Sequence, residues 1–158
     1  MAEQKTNVMR TLEQKKIVYT AHSYPHGDEA VDGVTAAALI GKRPEAVFKT
    51  LVTKGAGGGI YVFVIPVAEE LDLKKAAKAV GEKSVAMVPV RDINSLTGYI
   101  RGGCSPVGMK KSYPTVFDAS VLGLETVTVS AGKIGAQVEV KPSDLMALTR
   151  ASTAPFTV

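Results

Sequence analysis

The chain has 158 residues, 46% of them hydrophobic and 22% charged, a composition typical of a globular domain that excludes a disordered segment. Its single cysteine, Cys104, excludes an internal disulfide and a cysteine-rich zinc site, and is typical of the reducing cytoplasm. A net charge of +4 permits a polyanionic partner without requiring one. Neither a signal peptide nor a membrane span is expected, because the N-terminus has no apolar run and no segment approaches about 18 apolar residues.

Periodicity, caps and turn residues predict the elements of the chain in order. The first half predicts a helix over 6–14, a strand over 17–22, a polar turn-rich segment over 24–32, a helix over 34–40, a hairpin of strands over 47–53 and 60–65, and an amphipathic helix over 73–80. The second half predicts a strand over 84–88, a helix over 89–96, strands over 115–118, 125–129 and 136–140, and a closing helix over 142–150. No repeat or linker interrupts this order, so one domain over 1–158 is expected. The mixture predicts an α/β fold with a mixed, partly barrel-like sheet flanked by helices.

Familiar catalytic motifs are missing from the sequence, which has no G-x-S-x-G turn, no Walker loop and no complete dinucleotide fingerprint. His22 and His26 lie four residues apart, but Pro25 stands between them in a segment that is not helical. We therefore expect a solvated or hydrogen-bonded pair of histidines, with no metal and no cofactor. Two histidines also leave few bases for a Ser/His or Cys/His nucleophile.

The loop over 98–111 reads GYIRGGCSPVGMKK and holds four glycines and three cations. Glycine allows positive φ and close approach of the backbone, so N–H groups around Gly102 and Gly103 are candidates to face a ligand. Lys110 and Lys111 suit an anionic ligand. A surface turn with solvated lysines is the alternative. Cys104 beside these cations is either a reactive thiol or a small buried apolar residue, and the second is favoured.

Lys49 lies in a β-rich run with apolar residues on both predicted faces. Alternation places Val47, Lys49 and Leu51 on one face, and Phe48 and Thr50 on the other. An inner strand would hold the ammonium of Lys49 in apolar surroundings, where lysine is rarely buried without a partner. Lys49 is therefore a candidate pocket cation for a carboxylate, phosphate or polarised carbonyl. The alternative is a lysine that extends to the sheet edge.

Five segments in order, over 48–52, 73–77, 98–99, 102–108 and 129–133, resemble the YbaK/EbsC family. Its members are free-standing relatives of the editing domain of bacterial prolyl-tRNA synthetases. The resemblance spans nearly the whole chain and is greatest to the YbaK branch, whose members clear cysteine mischarged on proline tRNA.

The resemblance assigns roles to particular residues of this chain. It implies that Lys49 is the essential lysine and that Gly102 and Gly103 form the substrate loop. The candidate substrate-binding residues are Tyr24, Phe48, Thr50, Ser105, Pro106 and Ser130. Two residues depart from the family pattern. Ala131 stands where a second glycine is usual, and Cys104 stands where an aliphatic residue is usual, which argues against Cys104 as nucleophile.

The resemblance implies a cytoplasmic deacylase for cysteine on tRNA(Pro), and for Cys-tRNA(Cys) as a further substrate, in which the substrate's own thiol attacks its ester carbonyl. The expected partners are the acceptor end of aminoacyl-tRNA and prolyl-tRNA synthetase. Two alternatives stay open: a deacylase for another small aminoacyl group such as alanine, and a non-catalytic module that binds tRNA or a synthetase. Lysines at 74, 75, 78, 110 and 111 are candidates for a basic footprint, with a solvated helix face as the alternative for the first three.

Overall fold

The computed structural model describes residues 5–27 and 31–158, in which the predicted helices and strands are confirmed. The helices are α1 Asn7–Gln14, α2 Gly33–Leu39, α3 Leu73–Val80, α4 Val90–Thr97 and α5 Pro142–Thr149. The strands are β1 Tyr19–Ser23, β2 Phe48–Gly55, β3 Ile60–Pro66, β4 Val85–Met87, β5 Thr115–Asp118, β6 Val127–Lys133, β7 Ala136–Val140 and β8 Ser152–Ala154. The turn predicted over 24–32 lies partly outside the described residues. No described helix has the length and apolar character needed to cross a bilayer.

The strands form two sheets, and the mixed α/β architecture is as predicted. One sheet has the order β1-β7-β6 and is antiparallel throughout. The other has the order β4-β2-β3-β5-β8, in which β5 runs parallel to both of its neighbours. A bridge between Val47 and Thr128 links the two sheets. The expectation of a partly barrel-like sheet is therefore corrected in one respect, because the described strands form two sheets and no closed barrel.

Helix α3 shows how local sequence specifies a helix that packs on the larger sheet. The side chain of Asp72 accepts hydrogen bonds from the N–H groups of Lys74 and Lys75, both at 3.0 Å, and so caps the helix. Gly81 ends the helix in the left-handed region with φ 73°. Between these caps Ala76 and Ala77 are buried in a cluster with Phe63 and Ile65 of β3. In the register of β2 and β3, Ile65 is the cross-strand partner of Lys49. Helix α3 therefore packs on the face of the sheet to which Lys49 belongs.

The larger core lies on one face of the β1-β7-β6 sheet. It contains the buried valines 127, 129, 138 and 140, with Val8 and Leu12 of α1 packed in the same cluster. Because side chains alternate along a strand, Gln137 and Glu139 of β7 lie on the opposite face. That face therefore carries polar groups, and its end near Gln137 borders the cleft described next.

Candidate active site

A cleft of about 890 Å³ lies where β2, α2, α4 and the loop after α4 meet the β1-β7-β6 sheet. Six of the residues selected from the sequence line it: Tyr24, Phe48, Lys49, Thr50, Gly102 and Ser130. These residues are far apart in the chain, so their convergence in one cleft is a property of the fold. The cleft also has apolar walls, which include Val34, Val67 and Ile100.

Lys49 is half-buried in β2, directly opposite Ile65 of β3. Burial lowers the pKa of its ammonium below the ordinary lysine value, and the more distant charges of Glu70 and Glu69 partly oppose this shift. Within residues 5–27 and 31–158, the Lys49 ammonium has no ion-pair partner within 4 Å. A partly desolvated cation without a direct counter-ion is suited to an anionic or polarised ligand group.

Gly102 lies in a turn of the 98–111 loop and lines the cleft. Its φ is +85°, and the N–H of Gly103 donates to the carbonyl oxygen of Ile100 at 3.0 Å. This is the pattern of a type II turn, whose third residue requires positive φ and therefore favours glycine. The N–H groups of Gly102 and Cys104 have no acceptor in the part of the chain that the structure describes. Both residues line the cleft, which makes these two N–H groups candidates to bind a ligand.

Three other predicted residues of the loop lie outside the cleft lining. Gly103 uses its N–H within the turn, and an added Cβ would lie 2.9 Å from the Cα of Lys133, so its glycine serves close packing against the backbone. The Ser105 hydroxyl is fully buried and accepts from the N–H of Val107 at 3.2 Å. Pro106 lines a different, smaller cleft. The Gly103 N–H is used within the turn, whereas those of Gly102 and Cys104 are not, so the role predicted for Gly102 and Gly103 stays a prediction.

Two buried polar atoms at the cleft have no hydrogen-bond partner among the described residues: Thr50 Oγ1 and Gln137 Oε1. Buried polar atoms are nearly always paired, and leaving one unpaired costs about 1–3 kcal/mol. Both residues line the cleft, so these two atoms are candidates to pair with a bound ligand. The sequence pattern does not identify Gln137 as a site residue, because its only signal there is its place on the polar face of a strand. Its position opposite Ser130 depends on the register of β6 and β7.

Ser130 and its turn retain their geometry despite the alanine at 131. The Ser130 hydroxyl accepts from the N–H of Gly132 at 3.1 Å, and Gly132 supplies the positive φ of 101°. Ala131 is fully buried and its methyl group packs in the main core. The alanine at 131 therefore adds a methyl group to the core, and the left-handed residue of the turn, Gly132, is still a glycine.

Cys104 is buried at the cleft, with 9% of its surface exposed. Burial raises the pKa of its thiol to about 11, against a smaller opposing contribution from a hydrogen bond with Thr97. A thiol with this pKa is almost entirely protonated at neutral pH and is a poor nucleophile. The structure thus favours the interpretation of Cys104 as a small buried residue.

The two histidines make separate protein contacts. His22 Nε2 lies 2.8 Å from Glu139, which also pairs with Lys42 at 2.9 Å and accepts from Thr126. His26 Nδ1 lies 2.8 Å from the carbonyl oxygen of Gly27. No group of three potential metal ligands occurs among the described residues. Lys42 follows α2, so the Glu139 cluster attaches the α2 wall of the cleft to the sheet.

Comparisons with known proteins identify the family of this chain. The model of the family described as the aminoacyl-tRNA editing domain matches residues 28–148. The chain is 43% identical over 155 residues to a protein of Enterococcus faecalis named as a candidate Cys-tRNA(Pro)/Cys-tRNA(Cys) deacylase, EbsC, and the match covers 98% of this chain and 94% of that protein.

Two solved structures have the same fold. One is described as a candidate trans-editing enzyme for prolyl tRNA synthetase; it is 28% identical with a TM-score of 0.82, and the match covers 96% of this chain and 94% of that one. The other is a hypothetical protein, 26% identical with a TM-score of 0.84, and here the match covers 96% of this chain and 99% of that one. The chain therefore belongs to the aminoacyl-tRNA editing domain family.

Proposed function

We propose that this protein is a trans-editing deacylase that removes cysteine from mischarged tRNA(Pro), with Cys-tRNA(Cys) as a further substrate. One observation supports the proposal: the described lining of the cleft has a half-buried lysine and two N–H groups without an acceptor, but no histidine-activated nucleophile. Among the residues described as lining it there is no histidine, and its one thiol, Cys104, is held protonated by burial. The 43% identical relative, whose name describes this activity, supports the choice of substrate.

In the proposed reaction the nucleophile is the thiol of the substrate. Its sulfur forms a bond to the ester carbonyl carbon, the bond from that carbon to the ribose oxygen breaks, and the thiol proton passes to the leaving oxygen. The products are free tRNA and a cyclic cysteine thiolactone, which water then opens. Thiol and carbonyl belong to one molecule, and effective molarities in such reactions can reach about 10⁵ M or more.

The cleft's own residues orient the ester and stabilise charge. The free N–H groups of Gly102 and Cys104 are assigned to the developing oxyanion. The Lys49 ammonium is assigned to the terminal adenosine, either at its phosphate or beside the leaving ribose oxygen. Thr50 Oγ1 and Gln137 Oε1 are assigned to polar groups of the bound aminoacyl ester, which would supply their missing hydrogen bonds. As an acceptor, Gln137 Oε1 is suited to the substrate's amino group.

A thiol requirement also explains how such an enzyme would spare tRNA(Pro) that carries proline. A pocket that distinguishes ligands by one methylene-sized group discriminates by only about 10–200-fold. A reaction that consumes the substrate's thiol excludes alanine and proline, which have none. Selection then rests on the chemistry of the reacting group instead of the volume of the cleft.

Single-turnover deacylation of three preformed substrates tests this proposal. Cys-tRNA(Pro) should be cleared, whereas Ala-tRNA(Pro) and S-methylcysteinyl-tRNA(Pro) should react at least a hundredfold more slowly. Rapid clearance of Ala-tRNA(Pro) would instead indicate a deacylase that uses water. Binding of all three without turnover would indicate a non-catalytic module.

We infer that the protein acts where tRNA is charged, in the cytoplasm, and that prolyl-tRNA synthetase is its partner. The description of the 28% identical structure as a trans-editing enzyme for this synthetase supports the inference. Sedimentation of the purified pair with and without tRNA(Pro) tests it. Independent sedimentation under both conditions would contradict the partnership and leave the deacylase proposal intact.

A further inference from the structure

A second cleft, of about 580 Å³, lies beyond the loop on the side of α5. Its lining includes two cations, Lys111 and Arg150, and the hydroxyl-bearing residues Thr11, Ser112 and Thr149. No acidic side chain lines it within the described ranges, and neither cation has an ion-pair partner there. The hydroxyls of Thr11 and Thr149 donate to carbonyl oxygens of their own helices, so the two uncompensated cations and Ser112 form the surface complementary to phosphate groups.

Arg150 has an unusual backbone conformation for its residue type. It follows the last turn of α5 with φ 56° and ψ 36°, in the left-handed region that favours glycine. A residue with a side chain costs roughly 1–2 kcal/mol more in this region. A cation within the preceding turn would complement the helix dipole equally well without that cost. Lys16 after α1 has the same conformation, and in both places the left-handed residue closes the C-terminus of the helix.

The second cleft is next to the first along the loop. Cys104 lines the first cleft and Pro106 lines the second, so their Cα atoms are at most about 7 Å apart. The loop is held in place by Tyr99, whose hydroxyl donates to the Val107 carbonyl oxygen, and by Tyr113, whose hydroxyl donates to the Leu96 carbonyl oxygen at 2.7 Å. The two clefts are therefore close to each other along a loop whose position is fixed.

We propose that the second cleft binds backbone phosphates of the tRNA acceptor end while the aminoacyl ester lies in the first cleft. The inference rests on the deacylase function proposed above, because that function supplies a ligand with an ester at one end and a row of phosphates behind it. Lys111 and Arg150 contact phosphate oxygens, and the neighbouring hydroxyl of Ser112 donates to them. The site adds affinity for the polynucleotide and takes no part in ester cleavage.

The test compares two double variants that each remove two positive charges. Lys111→Ala/Arg150→Gly removes the cations of the second cleft, and glycine at 150 suits the positive φ, so folding is preserved. The matched control is Lys83→Ala/Lys16→Gly: Lys16 also has positive φ, at 58°, and neither lysine lines a cleft. Binding of deacylated tRNA(Pro) is measured by filter retention at several salt concentrations, with circular dichroism as the check on folding.

The first double variant should bind deacylated tRNA at least tenfold more weakly, and its slope of log K against log salt should be smaller by about 1.4–1.8, as expected for two lost phosphate contacts. Its KM for Cys-tRNA should rise while kcat stays unchanged, and the control should behave as wild type in both assays. Equal weakening in both double variants, or in neither, would overturn the proposal. Because binding is measured with uncharged tRNA, either of these binding results leaves the deacylase function intact. A wild-type protein that binds tRNA but does not deacylate Cys-tRNA would refute the deacylase function alone.

Discussion

Substituting alanine for Gly103 should lower stability and activity together, because this glycine packs against the backbone. The Cβ would lie 2.9 Å from the Cα of Lys133 and 3.0 Å from the N of Ile134, whereas ordinary contacts begin near 3.4 Å. Both neighbours are backbone atoms of the turn between β6 and β7, so a side-chain rotation cannot relieve the overlap. The loop and the hairpin must separate by about half an ångström.

Overpacking of this kind costs about 1–3 kcal/mol in the free energy of unfolding. For a chain of this length each kcal/mol lowers Tm by roughly 2–4 °C, so we expect Tm to fall by about 2–12 °C. The same displacement moves the N–H groups of Gly102 and Cys104 away from the ester. Deacylation should therefore decrease with stability, and a second substitution that restores Tm without restoring loop position should leave activity low.

Thermal melts and single-turnover rates on Cys-tRNA(Pro) for three variants decide the question. Gly102→Ala places a side chain at φ +85° in the turn that presents the free N–H groups, so its activity should fall by far more than its stability. Gly123→Ala is the control, because nothing lies within 4 Å of its Cβ and its φ is not positive; its stability should change by less than about 0.5 kcal/mol. A Gly103→Ala variant with wild-type Tm and a hundredfold lower kcat would refute the packing argument.

Three further predictions concern ionisable groups. Lys49→Ala should abolish deacylation while the protein remains as stable as wild type or more so, because burial disfavours the ammonium. Lys49→Arg should not restore the rate, since a guanidinium is wider than an ammonium. Normal rates in both variants would remove Lys49 from the site. Cys104→Ala should retain most activity. In the native protein a thiol with a pKa of about 11 is only about 0.1% thiolate at pH 8, so alkylation of Cys104 should be slow until denaturant is added. Burial alone would raise the pKa of Glu139, but hydrogen bonds from Thr126, Lys42 and His22 lower it to about 2, below its usual 4.5. Its contribution to stability is complete above about pH 4.5 and is lost as the pH falls toward 2, so Glu139→Gln should flatten that part of the curve of unfolding free energy against pH; an unchanged acid limb would show that the cluster does not stabilise the fold.

Much of the local structure was predictable because its causes lie within a few residues of one another. The cap at Asp72, the apolar spacing after it and Gly81 specify α3 to the residue. Residues 44–46 and 119–123 form short 3-10 helices, and β8 has only three residues; none of these was predicted, since a single turn or a three-residue strand carries no periodic signal. The parallel pairing of β5 with β3 and β8 was also beyond local pattern, because parallel partners lie far apart in the chain.

The sequence by itself determined the chemistry available at the site and which residue types supply it. The sequence predicts Lys49 on an inner strand and a glycine-rich loop as parts of the site, and both line one cleft. Tertiary structure alone decided which N–H groups are free, because the turn from Ile100 occupies that of Gly103. It also decided that Gln137 faces the cleft with an unpaired oxygen, since strand register and burial depend on segments far away in the chain.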